Sequence, residues 1–477
     1  MRLLISFAYG INLYNSLPLP IQGVIGNILA PIPLRRRGHR GVFKLAEEIS
    51  LPTSWEKMES ATNRRLSDLI IHSAANVPWF GNLLNETGID PRAVKSIDDL
   101  QTLPVLTKED VREHAMLLRA DNSDQYSPGA VRTSGSTGEP LEFLVDQRTR
   151  LCEYASEWRC LMENGATPGD RTATFRGNHY RNHRRQGTHW FRHALSGDLN
   201  FNTFAMTPES CEKYIHKLRR YNPKIYRGFP SSLSHLAKHV HGPIISPSAI
   251  AFCSSEMMDD QMVENIRSNI CDTIVNWYSQ SEYVVSAGTC REGNMHVNTE
   301  FGILEVLDED GTPVPEGTVG RLVGTSLTNF SQPFIRYDLD DLGALSFRSC
   351  LCGRPHPILE KISGRTSDVI ITPDGRNLST VQMQHWWKHQ AVLEWELDVF
   401  EWIQLVQTGL SEVTARSVPK EGVEPLAHID SLQGALSDLW GVEVSVTIDE
   451  LESIPHGEKW RFSHSIVDGG RWGLRIG

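Results

Sequence analysis

Between Leu141 and about residue 255 the chain alternates helical stretches with short apolar runs such as Ile225-Tyr226 and Ala249-Ile-Ala-Phe252. Runs this short, separated by amphipathic stretches, predict a layered α/β domain in which helices cover a sheet. Leu141-Glu-Phe-Leu-Val145 alternates like a strand at the start of this region, and a loop rich in Gly, Ser and Thr (Val131 to Pro140) precedes it. Upstream, residues 57 to 76 show helical spacing of apolar positions. Further helices are expected over Pro91 to Leu100 and Lys108 to Leu118, the second with Thr107 as N-cap and Asp110 in its first turn. Downstream, residues 296 to 347 read as a β-rich subdomain. Phe301 to Leu307 and Val319 to Thr325 alternate, separated by the turns Glu309-Asp-Gly311 and Pro315-Glu-Gly317. A boundary is expected near Ser363-Gly-Arg-Thr-Ser-Asp368. It divides a large N-terminal domain (1–366) from a small α+β C-terminal domain (367–477).

A chain of 477 residues fits two or three such units. The formal net charge of -11 argues against a nucleic-acid binder. Arg35-Arg36-Arg37 with Arg40 reads as a solvated loop. The cluster from Arg181 to Arg185 is either a solvated face or a patch that steers an anion. Eight cysteines in this length do not form a secreted disulfide framework. No stretch supplies the roughly 18 apolar residues of a spanning helix. The apolar N-terminus, broken by prolines and asparagines, lacks the layout of a signal peptide and reads as a helix and loop packed on the main domain. Peripheral membrane contact is the competing reading. The expected location is cytoplasmic.

Five segments carry chemistry. In Thr133-Ser134-Gly135-Ser136-Thr137-Gly138 the glycines let the backbone curl, so that N–H groups and hydroxyls converge on phosphate oxygens. It is not a Walker A loop, because the Gly-Lys-Ser/Thr ending is absent. Trp277-Tyr278-Ser279-Gln280-Ser281-Glu282 follows an apolar run and offers a ring to stack a base and a carboxylate for Mg²⁺. Tyr337-Asp338-Leu339-Asp340-Asp341 offers a carboxylate for ribose hydroxyls, or is an acidic turn. Gly364-Arg365-Thr366-Ser367-Asp368 is the fourth. Ile454-Pro455-His456-Gly457-Glu458-Lys459 is the fifth, where a lysine on a glycine-bearing loop can meet charge developing on a phosphate.

Singly these are weak. In this order they resemble the adenylate-forming superfamily, and more closely its phenylacetate–CoA ligase branch with the CapK and coenzyme F390 synthetase relatives. The resemblance runs from Leu103-Pro-Val-Leu-Thr-Lys108 to Lys459. It implies that Thr133 to Gly138 hold the β- and γ-phosphates of ATP and that Ser255 and Glu256 lie by the adenine. Tyr278 would stack on that base with Ser279 beside it, Glu282 would bind Mg²⁺, and Asp341, with Arg365 nearby, would grip the ribose. Lys459 would serve catalysis together with Glu282. Tyr226, Gly228 and Phe229 match a segment near the acyl pocket. The C-terminal domain is implied to be mobile about a hinge at Ser367, where relatives often carry the first of two aspartates. Asp340, beside the ribose ligand, is a second departure.

Cys290-x5-His296 and Cys350-x-Cys352 form two pairs whose four ligands suit tetrahedral Zn²⁺. The alternative is unrelated thiols and a surface histidine. The resemblance favours structural zinc, since relatives carry a similar pattern. The remaining cysteines read as ordinary buried thiols.

The activity the resemblance implies is ATP-dependent activation of a carboxylic acid as acyl-adenylate, with release of pyrophosphate, then transfer to an acceptor. Coenzyme A, an amine or a hydroxyl are the candidate acceptors, and a homodimer is implied. Two alternatives stand beside it: direct adenylyl transfer to a hydroxyl, and a non-catalytic nucleotide-binding protein on the same fold.

Overall fold

The computed structural model describes residues 54–132, 141–176, 190–193, 196–203, 208–255, 257–365, 369–373, 377–379, 394–420, 422–451 and 462–467, with scattered single positions between and before them. Helix α1 (Trp55–Asn76) starts at Ser54, whose side chain accepts from the Lys57 backbone, and buries one stripe from Met58 to Ser73. Helix α2 (Pro78–Thr87) opens on a proline and stops at Gly88, whose φ of 69° suits glycine. The helix expected over Pro91 to Leu100 is absent. The Asp99 carboxylate accepts from the backbone N–H groups of Lys95 and Ser96 at 2.9 and 2.8 Å, and only a short 3₁₀ turn (Asp98–Thr102) follows. A side chain that captures backbone donors in this way competes with a helix. Helix α3 (Lys108–Glu113) is shorter than the expected Lys108 to Leu118. It begins in a capping box between Thr107 and Asp110.

A hairpin of β1 (Gly129–Arg132) and β2 (Glu142–Val145) leads to α4 (Gln147–Glu163). One large sheet follows. Its parallel part contains β3 (Thr172–Phe175), β5 (Leu199–Phe201), β6 (Ile225–Gly228), β7 (Ile250–Ser254) and β8 (Thr273–Ser279), with β4 (Trp190–Arg192) antiparallel at the edge. Helices α5 (Pro208–Tyr221), α6 (Pro230–Lys238) and α7 (Asp260–Asn269) cover one face, where Phe175, Tyr226 and Cys253 meet Tyr214, Leu236 and Ile266. Helix α4 covers the other, with Trp158 and Leu161 against Ile250, Phe252 and Trp277. The chain leaves β3 for β5 on one side and returns to β6 on the other. Such a switch point opens a crevice at the carboxyl ends of the strands.

The β-rich region forms as expected and continues this sheet with antiparallel pairing through β9 (Ser286–Thr289), β10 (Met295–Val297), β11 (Gly302–Leu307), β12 (Gly320–Ser326), β13 (Tyr337–Ser346) and β14 (Ile358–Arg365). Its core is distinct, joining Val285, Leu322 and Tyr337 to Leu66 and Phe80 of the first helices and Phe143 of the hairpin. After the small hairpin β15 (Val369–Ile371) and β16 (Asn377–Ser379), a separate four-stranded sheet is built from β17 (Phe400–Gly409), β18 (Glu412–Pro419), β19 (Ser445–Glu450) and β20 (Ser463–Ser465). With α8 (Ile429–Trp440) it encloses its own core around Leu405, Ala415, Leu436 and Trp440. No helix among the described residues is long and apolar enough to cross a membrane.

Candidate active site

Strands β7 and β8 are parallel neighbours, so Ser254 and the Tyr278-Ser279 pair emerge at the same end of the sheet. Strand β13 delivers Asp341 to the same place, and the Tyr278 hydroxyl donates to Asp341 Oδ2 at 2.7 Å. Asp341 stands opposite Arg365 of β14 in the backbone register. The acidic run around it is neutralised in turn. Asp338 faces Arg321 at 3.0 Å, and Lys108 Nζ lies 2.8 Å from Asp340 Oδ2. Asp340 has a φ of 62°, a left-handed conformation that turns its side chain toward α3. Asp340 is therefore the partner of Lys108, and it leaves the strand face to Asp341.

The loop from Ser279 to Tyr283 is tied by Gln280, whose side-chain oxygen accepts from the Val285 backbone at 3.2 Å. Tyr283 takes a φ of 57°. This bend buries Glu282, and Tyr337 donates to Glu282 Oε1 at 3.3 Å. Burial, with the charge of Glu282, holds the Tyr337 phenol well above its ordinary range, so it remains a donor. Ser255 is exposed, with a φ of 72°.

The three residues expected near an acyl pocket point in different directions. Tyr226 is fully buried in the core under α5 and α6, and its hydroxyl meets Ser246 Oγ at 2.9 Å. Gly228 lies where a Cβ would come within 3.0 Å of Phe175 Cβ and 3.1 Å of its carbonyl, so close strand packing explains the glycine. Phe229 is the N-cap position of α6. Thr133, Ser134, Gly135, Ser136, Thr137, Gly138, Glu256, Ser367 and Lys459 lie outside the described residues, as do the basic cluster from Arg181 to Arg185 and the Arg365 side chain. The β1–β2 hairpin closes the two ends of the segment from Thr133, with Arg132 opposite Glu142.

A charged network missed by the sequence reading lies between α4 and the sheet. Arg227 pairs with Glu157, and Arg176, one residue past β3, donates to Ser254 Oγ at 2.6 Å. Asp198 accepts from Thr174 at 3.2 Å. Burial, then the nearby Glu157, pushes the Glu153 carboxyl up to about 8, and burial raises Asp198 to about 6. The legible signal was the i, i+4 spacing of Glu153 and Glu157 on a helix that otherwise packs inward.

Cys290, His296, Cys350 and Cys352 converge, with all four ligand atoms within 4.8 Å of one another. Cys290 and Cys350 sulfurs are 3.9 Å apart, and Cys352 Sγ is 3.3 Å from His296 Nε2. The other ring nitrogen of His296, Nδ1, is 3.0 Å from the His356 carbonyl, a contact that fixes the tautomer with Nε2 turned to the sulfurs. Asn294 donates to Cys350 Sγ at 3.2 Å. Donor types and spacing fit a four-coordinate zinc ion closed to substrate. Of the other cysteines, Cys152 is partly exposed and Cys160, Cys211, Cys253 and Cys271 are buried. Cys211 also approaches His235 and His239, a grouping the sequence reading did not anticipate.

A layered sheet with a switch point, followed by a separate small α+β unit, is the fold of an adenylate-forming ligase. The chain superposes on 2-hydroxyisobutyryl-CoA ligase in the postadenylation state in complex with 2-HIB-AMP with a TM-score of 0.65. That match has 21% identity and covers 88% of this chain and 91% of that one. No family model matches the chain. In sequence the likeness is to the phenylacetate–CoA ligase branch and to CapK. The chain is 26% identical to phenylacetate-coenzyme A ligase of Thermus thermophilus over 333 residues, 66% of this chain and 72% of the relative. It is 20% identical to CapK of Staphylococcus aureus over 461 residues, 94% and 98% of the two chains. These likenesses give the chain the fold of the adenylate-forming ligases.

Proposed function

We propose that this protein converts a carboxylic acid and ATP to an acyl-adenylate and pyrophosphate, then passes the acyl group to an acceptor. The carboxylate oxygen forms a bond to the α-phosphorus while the bond from that phosphorus to the β-bridging oxygen breaks, and pyrophosphate carries the electron pair away. The protein needs no nucleophile of its own, and its contribution is positioning and charge stabilisation. The observation that carries this reading is the Tyr278–Asp341 pair at the carboxyl ends of the parallel strands. An aromatic ring fixed beside a ribose-gripping carboxylate is the arrangement a nucleoside requires.

In this reading Tyr278 stacks on the base, Ser279 and Ser255 border it, and Asp341 takes the ribose hydroxyls. Thr133 to Gly138 and Lys459 meet the phosphates, and Glu282 is the carboxylate that would hold Mg²⁺, which supplies charge neutralisation on the phosphates. Residues 1–366 and 367–477 act as two domains that rotate about Ser367, opening the acyl-adenylate to its acceptor. The relatives named as coenzyme A ligases make the thiol of coenzyme A the first acceptor to try. Cys290, His296, Cys350 and Cys352 hold structural zinc. Eight cysteines without a disulfide suit a cytoplasmic location. The test is ATP–pyrophosphate exchange over a panel of carboxylic acids. Exchange that requires one class of acid supports the reading. Its absence with every acid rejects it.

A further inference from the structure

The network under α4 borders the carboxyl ends of β3 and β7, beside the end of β8 that carries Tyr278. Arg176 leaves the end of β3 at the switch point and reaches Ser254 at the end of β7. The Glu153 carboxyl lies beside Ser279 at the end of β8. Both contacts fall on segments assigned above to the nucleotide's surroundings. Arg176, Glu153 and Asp198 each keep some exposed surface although protein surrounds them, as groups lining a crevice do.

Packing alone is a weak reason for such a network. A buried ion pair is often no more stable than an apolar replacement of the same volume. The network is also incomplete, because Arg176 Nε is buried without a hydrogen-bond partner among the described residues. A guanidinium donor left unmade in a protein interior is a cost that a bound acceptor removes. An unsubstituted aromatic or aliphatic acid would leave these groups desolvated and unmatched.

We infer that the crevice takes a small polar acid, one bearing a hydroxyl or amino group besides its reacting carboxylate, received by Arg176 and the carboxyl groups of Glu153 and Asp198. This inference rests on the adenylation reading and names its substrate class. Because burial raises Glu153 to about 8, that group is largely protonated at neutral pH and can donate as well as accept.

The experiment is ATP–pyrophosphate exchange with the full-length protein and pairs of size-matched acids, hydroxy or amino against apolar. Wild type is expected to favour the polar member in kcat/KM by at least about 100-fold. Arg176→Met, shown by its melting curve to be folded, should narrow that ratio by about tenfold or more, with Arg176→Lys recovering part of it. A wild-type preference for the apolar acids overturns the inference and leaves adenylation standing. A folded Arg176→Met protein with unchanged selectivity overturns it as well. No exchange with any acid overturns both readings together.

Discussion

The Tyr278 hydroxyl donates to Asp341 across 63 residues of sequence, joining the end of β8 to the middle of β13 at 2.7 Å. This bond orients the ring and the carboxylate as one unit. If the unit holds the nucleoside, its two parts separate by substitution. Tyr278→Phe keeps the ring and loses the bond, and KM for ATP should rise about fivefold. Tyr278→Ala also loses the stacking surface, and the rise should reach about 10- to 100-fold. Equal effects of the two variants in a steady-state assay would deny the ring a stacking role.

Lys108 and Asp340 form the second long-range tie at this site, at 2.8 Å and with both side chains partly exposed. Lys108→Met removes the ammonium that faces Asp340, beside Asp341 and the proposed path of the polyphosphate. Weaker ATP binding is expected, most clearly at low salt, where screening is least. A double-mutant cycle with Asp340→Asn should return a coupling of about 0.5–1 kcal/mol in thermal or urea unfolding. Additive effects of the two substitutions would remove the tie from the account.

The raised Glu153 carboxyl predicts a direction for pH dependence. Arg176 and Arg227 face it from the sheet side, Glu157 lies on its own helix, and Ser279 lies beside it. Its pKa in the folded protein, about 8, lies above the ordinary carboxylate value. The folded state therefore binds the proton more tightly, and this group withdraws stability as pH rises from about 4.5 to about 8. Glu153→Gln, which keeps the shape without the charge, should melt progressively higher relative to wild type across that window. A constant difference in Tm between pH 5 and pH 8 would contradict this.

The thiol–imidazole cluster predicts one zinc ion per chain by elemental analysis. Cys352→Ser should lose most of it and lower Tm, because metal binding at such a site contributes to folding. Retention of full zinc by the variant would place the metal elsewhere.

The local parts of this architecture could be read from the chain. The runs that became β6 and β7 were short, apolar and bounded, and the Thr107 cap announced α3 through its own side chain. The expected helix over Pro91 to Leu100 failed for a reason that is also local: the Asp99 carboxylate captures backbone donors. What stayed hidden depends on distant partners. Asp340 looked like surplus charge until Lys108, 232 residues away in sequence, was found against it. Arg176, Arg227, Glu153 and Asp198 each resemble an ordinary surface charge in the sequence, and only the sheet and α4 bring them together. Tyr226 shows the converse, since an aromatic residue in a promising motif is turned by strand alternation into the core.

The central claim is that the acid's carboxylate attacks the α-phosphorus. It is tested most directly by following oxygen. An acid active in the exchange assay is labelled with ¹⁸O in both carboxylate positions, incubated with ATP, and the acyl-adenylate is trapped with hydroxylamine. Acyl-adenylate chemistry predicts AMP carrying one ¹⁸O and a hydroxamate that keeps the other. Unlabelled AMP, or an adenylylated product formed without the acid, would contradict the account and point to direct adenylyl transfer.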